Sequence, residues 1–391
     1  MVWPAQQGKR GVADATQKVG ATTGPLVFET YKVDWELFQP SGHAPSSWST
    51  FGGVPTFPCQ RQIPSPTFND LVLAAVSKFE DLGQAGFGNL VGPIVAQNGT
   101  YVRYLTSFNQ AEFDQIVGNE WYLRGKLPVA GLNFGNGALD LKTSWILMDG
   151  VPQPQRFYTR QAWVMDLATG DCSQKIVGLV GMHIVQKTSS RPQWIWSTFE
   201  HVDNVSPADP GHTGQFTFND GTGGAMPKPP NPIPFPPPVQ PPRPFNIERV
   251  KPIDPSTQST NAAYQGALKG TIWANYELVM TQWPLQPNSP NQPGSPPNTF
   301  PGSSIPFKGG FANTTMETFD QERIGTGCMA CHNLAMRKTD FLWSLEINAF
   351  PQQPSVLIPT GPSLGPKTLA TTPSSAPLQQ LKTLMEGAVG Q

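Results

Sequence analysis

Proline and glycine interrupt this chain so often that long regular elements have little room. The 391 residues include 43 Pro and 38 Gly, about a fifth of all positions against an average near one-eighth. Proline fixes φ and removes a backbone donor, and glycine weakens helix and strand interiors alike. The pattern disfavours a helical bundle and predicts short strands joined by long ordered loops. The densest run, Pro227–Pro244, holds 11 prolines in 18 residues. It reads as polyproline II, serving either as a spacer or as a strap laid over a surface. Aromatic content (22 Phe, 11 Trp, 7 Tyr) argues against wholesale disorder.

Charge excludes some partners. Basic and acidic residues number 26 and 27, and only 14% of positions are charged. So even a balance argues against nucleic acid, or an anionic membrane surface, as the main partner. No apolar run reaches 18 residues, so no integral membrane segment is expected. The start, Met1–Arg10, lacks the apolar core of a signal peptide.

Hydrophobic periodicity gives an α+β, β-rich fold: an antiparallel sheet or sandwich body with a few short helices and long Pro/Gly-rich loops. Residues 1–25 read as an extended arm, 26–204 as the β-rich body, 205–262 as a Pro-rich linker or strap, and 263–391 as a segment packed on the body. Lys175–Lys187 is apolar on both faces, as in a central buried strand, and its Gly178 and Gly181 suggest a bulge or the close approach of something flat. Ala138–Met148, Arg160–Leu167, Gln193–Asp203, Gly270–Trp283 and Asp340–Phe350 are further strand candidates. Phe68–Leu82 and Asn109–Leu123 have helical spacing.

Four cysteines are present: Cys59, Cys172, Cys328 and Cys331. The last two form Cys328-Met329-Ala330-Cys331-His332. C-x-x-C-H is the attachment signature of one covalent haem c. Two thiols one turn apart add to the two porphyrin vinyl groups, and the next imidazole reaches the iron as proximal ligand. Cys328, Cys331 and His332 are therefore the candidate cofactor-binding residues, with His332 on the metal. Half of a zinc site and a thioredoxin-like redox pair are the rival readings of the same spacing. Haem attachment of this kind occurs outside the cytoplasm, which implies a periplasmic or secreted chain whose leader has been removed. In that compartment Cys59 and Cys172 can form a disulfide.

Few residues follow His332, so the β-rich body must build most of the haem pocket. His183 in the central strand, His201 after an aromatic run, and Met316 are candidates for the sixth iron ligand. Each is equally readable as a core residue. Glu200, His201 and Asp203 could make an acid–base cluster, or simply a solvated strand end.

The runs Gly178–Val185, Arg191–Asn204, Asn313–Phe319 and Cys328–Asn333 resemble bacterial proteins of the cytochrome c family, over roughly Leu26 to Phe350. The resemblance implies haem and export and carries no substrate with it. The expected function is an exported monohaem cytochrome in electron transfer or a redox accessory role, with a redox protein as partner. The alternatives are a haem c enzyme with an open distal site, peroxidase- or oxygenase-like, and a sensor or binding module stapled by haem.

Overall fold

The computed structural model describes residues 1–52, 63, 67–73, 93–129, 131–166, 171–205, 215–221, 244–284, 304–305, 312–321, 327–328, 332 and 339–351. The proline run 227–243 lies outside them. The described residues form an α+β, β-rich fold, built on one mixed sheet of nine strands. The strands are β1 (Lys32–Val33), β2 (Leu71–Leu73), β3 (Arg103–Phe108), β4 (Leu139–Leu147), β5 (Thr159–Met165), β6 (Cys172–Thr188), β7 (Arg191–His201), β8 (Tyr276–Pro284) and β9 (Ser304–Ile305). Four short α-helices accompany them: α1 (Asp34–Leu37), α2 (Gln110–Gly118), α3 (Pro255–Ala267) and α4 (Trp343–Asn348).

β6 is the spine. Its 17 residues far exceed a typical strand, long enough to carry two neighbours in succession on one edge. β5 pairs with its first half and β7 with its second, while β4 runs along the opposite edge. Every pairing is antiparallel except that of β2 with β5, which is parallel. A bulge breaks the β4–β6 ladder: Ser144 opposes Gly181 whereas Trp145 opposes Leu179. The extra residue, Val180, turns to the same face as Gly181.

That bulge sorts the core. On one face of the sheet Trp145, Tyr158, Val177, Leu179 and Met182 pack with Leu26, Phe28 and Trp273. The other face carries two clusters. Tyr104, Ile146 and Val180 pack with Phe245, Met316 and Phe319. Further along, Phe108, Val185, Trp194 and Trp196 pack with Phe113, Phe134, Phe341 and Leu345. Met316, Phe319, Phe341 and Leu345 therefore cover one face of a sheet made by earlier residues.

Local signals account for two helices. Asn109 caps α2 by accepting from the Glu112 amide at 3.0 Å, and Phe113 and Ile116 give it a buried face. Asp254 caps α3 at Ser256 N, 2.9 Å away, with Pro255 in the first turn. Two other expectations change. Leu71–Leu73, expected inside a helix, is the strand β2, drawn into the sheet by its pairing with Ala162–Val164. Asp340–Phe350, expected as a strand, begins with a left-handed turn at Asp340 (φ 53°) and Phe341 (φ 68°) and continues as α4.

The close approach expected at Gly181 is made by the chain itself. A Cβ there would sit 2.4 Å from Thr315 Oγ1 and 2.6 Å from Ser144 Oγ. Gly181→Ala should destabilise the protein by about 1–3 kcal/mol, the usual cost of overpacking. A lower denaturant midpoint with an unchanged m value checks this.

Candidate functional site

Residues directly paired across a sheet share a face. The β4, β6, β7 and β8 register sets Lys142, His183, Thr198 and Met280 in one row, and Asp140, Val185, Trp196 and Gln282 in the next. Asn313–Glu317 is fastened over the first row. Asn313 Nδ2 donates to Thr198 Oγ1 and to Phe199 O at 2.9 and 2.7 Å. The amide and hydroxyl of Thr314 both donate to Glu200 Oε2 at 2.9 Å. Tyr104 OH donates to Thr315 O at 2.6 Å. The strap delivers Glu317, whose Oε1 lies 2.9 Å from His183 Nε2. Both side chains keep some exposure, 29% for Glu317 and 15% for His183.

His332 lies over the second row, its ring centroid 4.2 Å from that of Trp196. Its Nδ1 is 2.8 Å from Phe341 O. A carbonyl only accepts, so Nδ1 carries the proton and Nε2 is left with its lone pair. Burial lowers the His332 pKa to about 4, against the pull of the Phe341 carbonyl. The ring is thus neutral at pH 7. Cys328 is half-buried and packs against the same aromatic cluster. Cys331 lies outside the described residues.

The carbonyl that holds His332 belongs to a tightly bonded turn. The Asp340 carboxylate accepts from Lys187 Nζ and, at 2.8 Å, from Phe134 N. Asp340 O accepts from Trp194 Nε1 at 2.9 Å. Lys187 also bonds Asn133 Oδ1 and stands 4.9 Å over the Trp194 ring. Lys187 and Asp340 are both fully buried. Burial pushes Asp340 up to about 6 against the pull of Lys187. It lowers the Lys187 pKa against the same partner. Two further acids share this interior. Glu112 is fully buried, neither carboxylate oxygen has a hydrogen bond among the described residues, and burial followed by the charges of Asp140 and Asp340 raises its pKa.

Asp140 rises to about 7 through burial, although Ser344 Oγ donates to it at 3.1 Å. An acid whose folded pKa lies above its unfolded value stabilises less as pH rises between the two. Asp140→Asn mimics the protonated form. It should be nearly neutral at pH 4 and should stabilise by on the order of 1–3 kcal/mol at pH 8. Denaturant titrations at the two pH values check this.

The remaining sequence candidates lie elsewhere. His201 faces away from Trp196 by strand alternation. It stacks on Phe157 at 3.7 Å, Nδ1 accepts from Asp203 N at 3.1 Å, and Nε2 therefore donates to Arg156 O at 3.0 Å. With both nitrogens bonded it is a core residue. Burial lowers its pKa to about 4. Glu200 lies on the other face, paired with Arg249, and Asp203 pairs with Arg156 at 3.0 Å. Glu200 thus stands apart from the other two, while His201 Nδ1 lies 3.9 Å from Asp203 Oδ2. Met316 is buried beside Tyr104 and Phe319, in the cluster that does not contain Trp196. Cys172 is disulfide-bonded, and Cys59 lies outside the described residues.

The sequence matches no family model, no curated protein and no solved structure. The site is therefore read from its own residues. Glu317, Lys187, Asp340 and the Phe341 carbonyl escaped the sequence. A buried lysine at the end of an apolar strand was the one available signal, and a backbone carbonyl leaves none. Among the described residues no helix is long and apolar enough to cross a membrane.

Proposed function

We propose that the chain is a monohaem c-type cytochrome, matured outside the cytoplasm, that transfers electrons or serves a redox partner protein. Cys328 and Cys331 would hold the haem covalently and His332 would be its proximal ligand. The observation that carries the reading is the state of His332 within C-x-x-C-H. Its Nδ1–H is committed to Phe341 O, and that is the outer bond which fixes a ligating imidazole and leaves Nε2 to the metal. The donor chemistry suits the group, since the soft Cys328 thiol and the neutral His332 imidazole both lie against the aromatic cluster that contains Trp196. When bound, the haem supplies a one-electron couple. The chain's own part is to keep His332 neutral, to orient its ring and to limit water around it.

A second reading is a haem c enzyme with an open distal site. What favours it is the partly exposed His183–Glu317 pair on the face that holds His332. An imidazole and a carboxylate 2.9 Å apart can pass a proton between solvent and a bound oxidant.

The test is to produce the chain with a working haem-attachment system, then record its spectra and the reduced pyridine haemochrome. The expected result is one haem per chain that survives denaturation, with the haemochrome of two thioether links. It should be lost in Cys328→Ser combined with Cys331→Ser. Wild-type chain without covalent haem under those conditions overturns the proposal. A six-coordinate low-spin spectrum in both redox states favours electron transfer, and a high-spin spectrum that changes with cyanide favours the enzyme.

A further inference from the structure

We propose that Asp340 and Lys187 are positioning residues for His332. Together they hold a left-handed two-residue turn whose second carbonyl aligns the imidazole. The proposal rests on the haem reading of His332 given above.

Asp340 and Phe341 are consecutive non-glycine residues with φ of 53° and 68°. Such backbone is disfavoured for a bulky residue such as Phe341, and two such residues in succession persist only where the surroundings over-determine them. Here the surroundings do so. Lys187 from the end of β6 and the Phe134 amide grip the Asp340 carboxylate, and the Trp194 indole grips the Asp340 carbonyl. Trp194 itself has φ of 71°. The next carbonyl, Phe341 O, then faces His332 Nδ1 at 2.8 Å.

Stability alone does not explain a lysine and an aspartate that are both fully buried. A buried ion pair is often matched or exceeded by apolar residues of equal volume, and its best-attested use is to fix a register. This pair fixes a register between the sheet and residues 339–345. It thereby ties the orientation of His332 to the end of the central strand. A firm Nδ1–H···O bond makes the imidazole a stronger donor. Stronger donation favours the oxidised iron, so a looser turn should raise the reduction potential.

The experiment compares the haem-loaded full chain with Asp340→Asn and Trp194→Phe. Asparagine tolerates the left-handed conformation and keeps an acceptor, while phenylalanine removes the indole donor and keeps an aromatic ring in a smaller volume. Haem content, reduction potential and the iron–histidine stretching band are measured. The expected result is unchanged haem content with a raised potential and a weakened band in each variant that folds. Equal content with potential and band unmoved in both variants overturns the positioning role. A wild-type chain without covalent haem overturns the underlying reading instead, and a haem-free measurement then still decides the positioning claim. Nitrogen-15 shifts of His332 should show the Nδ1–H form in the wild type and a mixture of tautomers in Asp340→Asn. An identical single tautomer in both chains overturns it.

Discussion

Arg249→Met should lower the free energy of unfolding by about 3–5 kcal/mol, the range found when one partner of a buried ion pair is removed. Arg249 is the cation on Glu200, and both are buried. Glu200 also receives the Thr314 amide and hydroxyl, so it fastens the strap to the sheet. Without the guanidinium, Glu200 loses its cation and stands beside Glu277, its partner across the β7–β8 ladder. That neighbour is itself pushed up to about 7 by burial and by the Glu200 charge, with Arg249 opposing the rise. The loss should be larger at pH 8 than at pH 5, because Glu277 is neutral at the lower pH and charged beside Glu200 at the higher. Denaturant unfolding at both pH values measures it. A loss below about 1 kcal/mol would show that the strap is held by its other hydrogen bonds and apolar contacts without the Arg249–Glu200 pair.

Lys187→Met should cost a similar amount, about 3–5 kcal/mol near pH 8, and clearly less near pH 5. Methionine fills the lysine stem volume but leaves Asp340 without its cation, in an interior that also holds Glu112 and Asp140. In the wild type Asp340 already sits at about 6, and losing Lys187 moves it higher. A carboxyl raised in the folded state contributes stability at low pH and loses it as pH climbs from the unfolded to the folded value. The deficit should therefore open across about pH 4–7. Thermal unfolding at half-unit pH steps checks the window. A pH-independent deficit would place the damage in packing rather than in the uncompensated carboxyls.

The parts of this molecule written in contiguous residues were legible, and those assembled from distant ones were not. β6 announces itself because both of its faces are apolar, and the antiparallel succession of β6 and β7 follows from two such runs joined by a short turn. His332 is conspicuous because its chemistry is spelled out in five adjacent positions. The Lys187–Asp340 pair joins residues 153 apart, and nothing in either neighbourhood names the other. Phe341, Leu345 and Ala349 recur at a spacing of four, yet Phe341, Trp343 and Leu345 also alternate. The segment fits helix and strand alike, and the left-handed turn at Asp340 settles it. Leu71–Leu73 fits a helical pattern locally, and only its parallel partner in β5 makes it a strand. His183 and His201 look alike in sequence, two histidines in neighbouring apolar strands. One faces Glu317 and the other has both nitrogens bonded inside the opposite layer.

The placement of residues 312–321 and 339–345 over a face built by earlier strands has a consequence for the order of events during biosynthesis. Val185, Trp194 and Trp196 leave the ribosome long before Phe341 and Leu345, which cover them. Contacts of such long sequence separation form slowly, and uncovered apolar surface invites aggregation meanwhile. The two thiols and the imidazole of the C-x-x-C-H run belong to the late-arriving portion. On the haem reading, the attachment enzymes would meet that run while it is still extended, and closure of the sheet face would follow the chemistry. A chain starved of haem should then accumulate as a species with an intact sheet and protease-sensitive chain after β9.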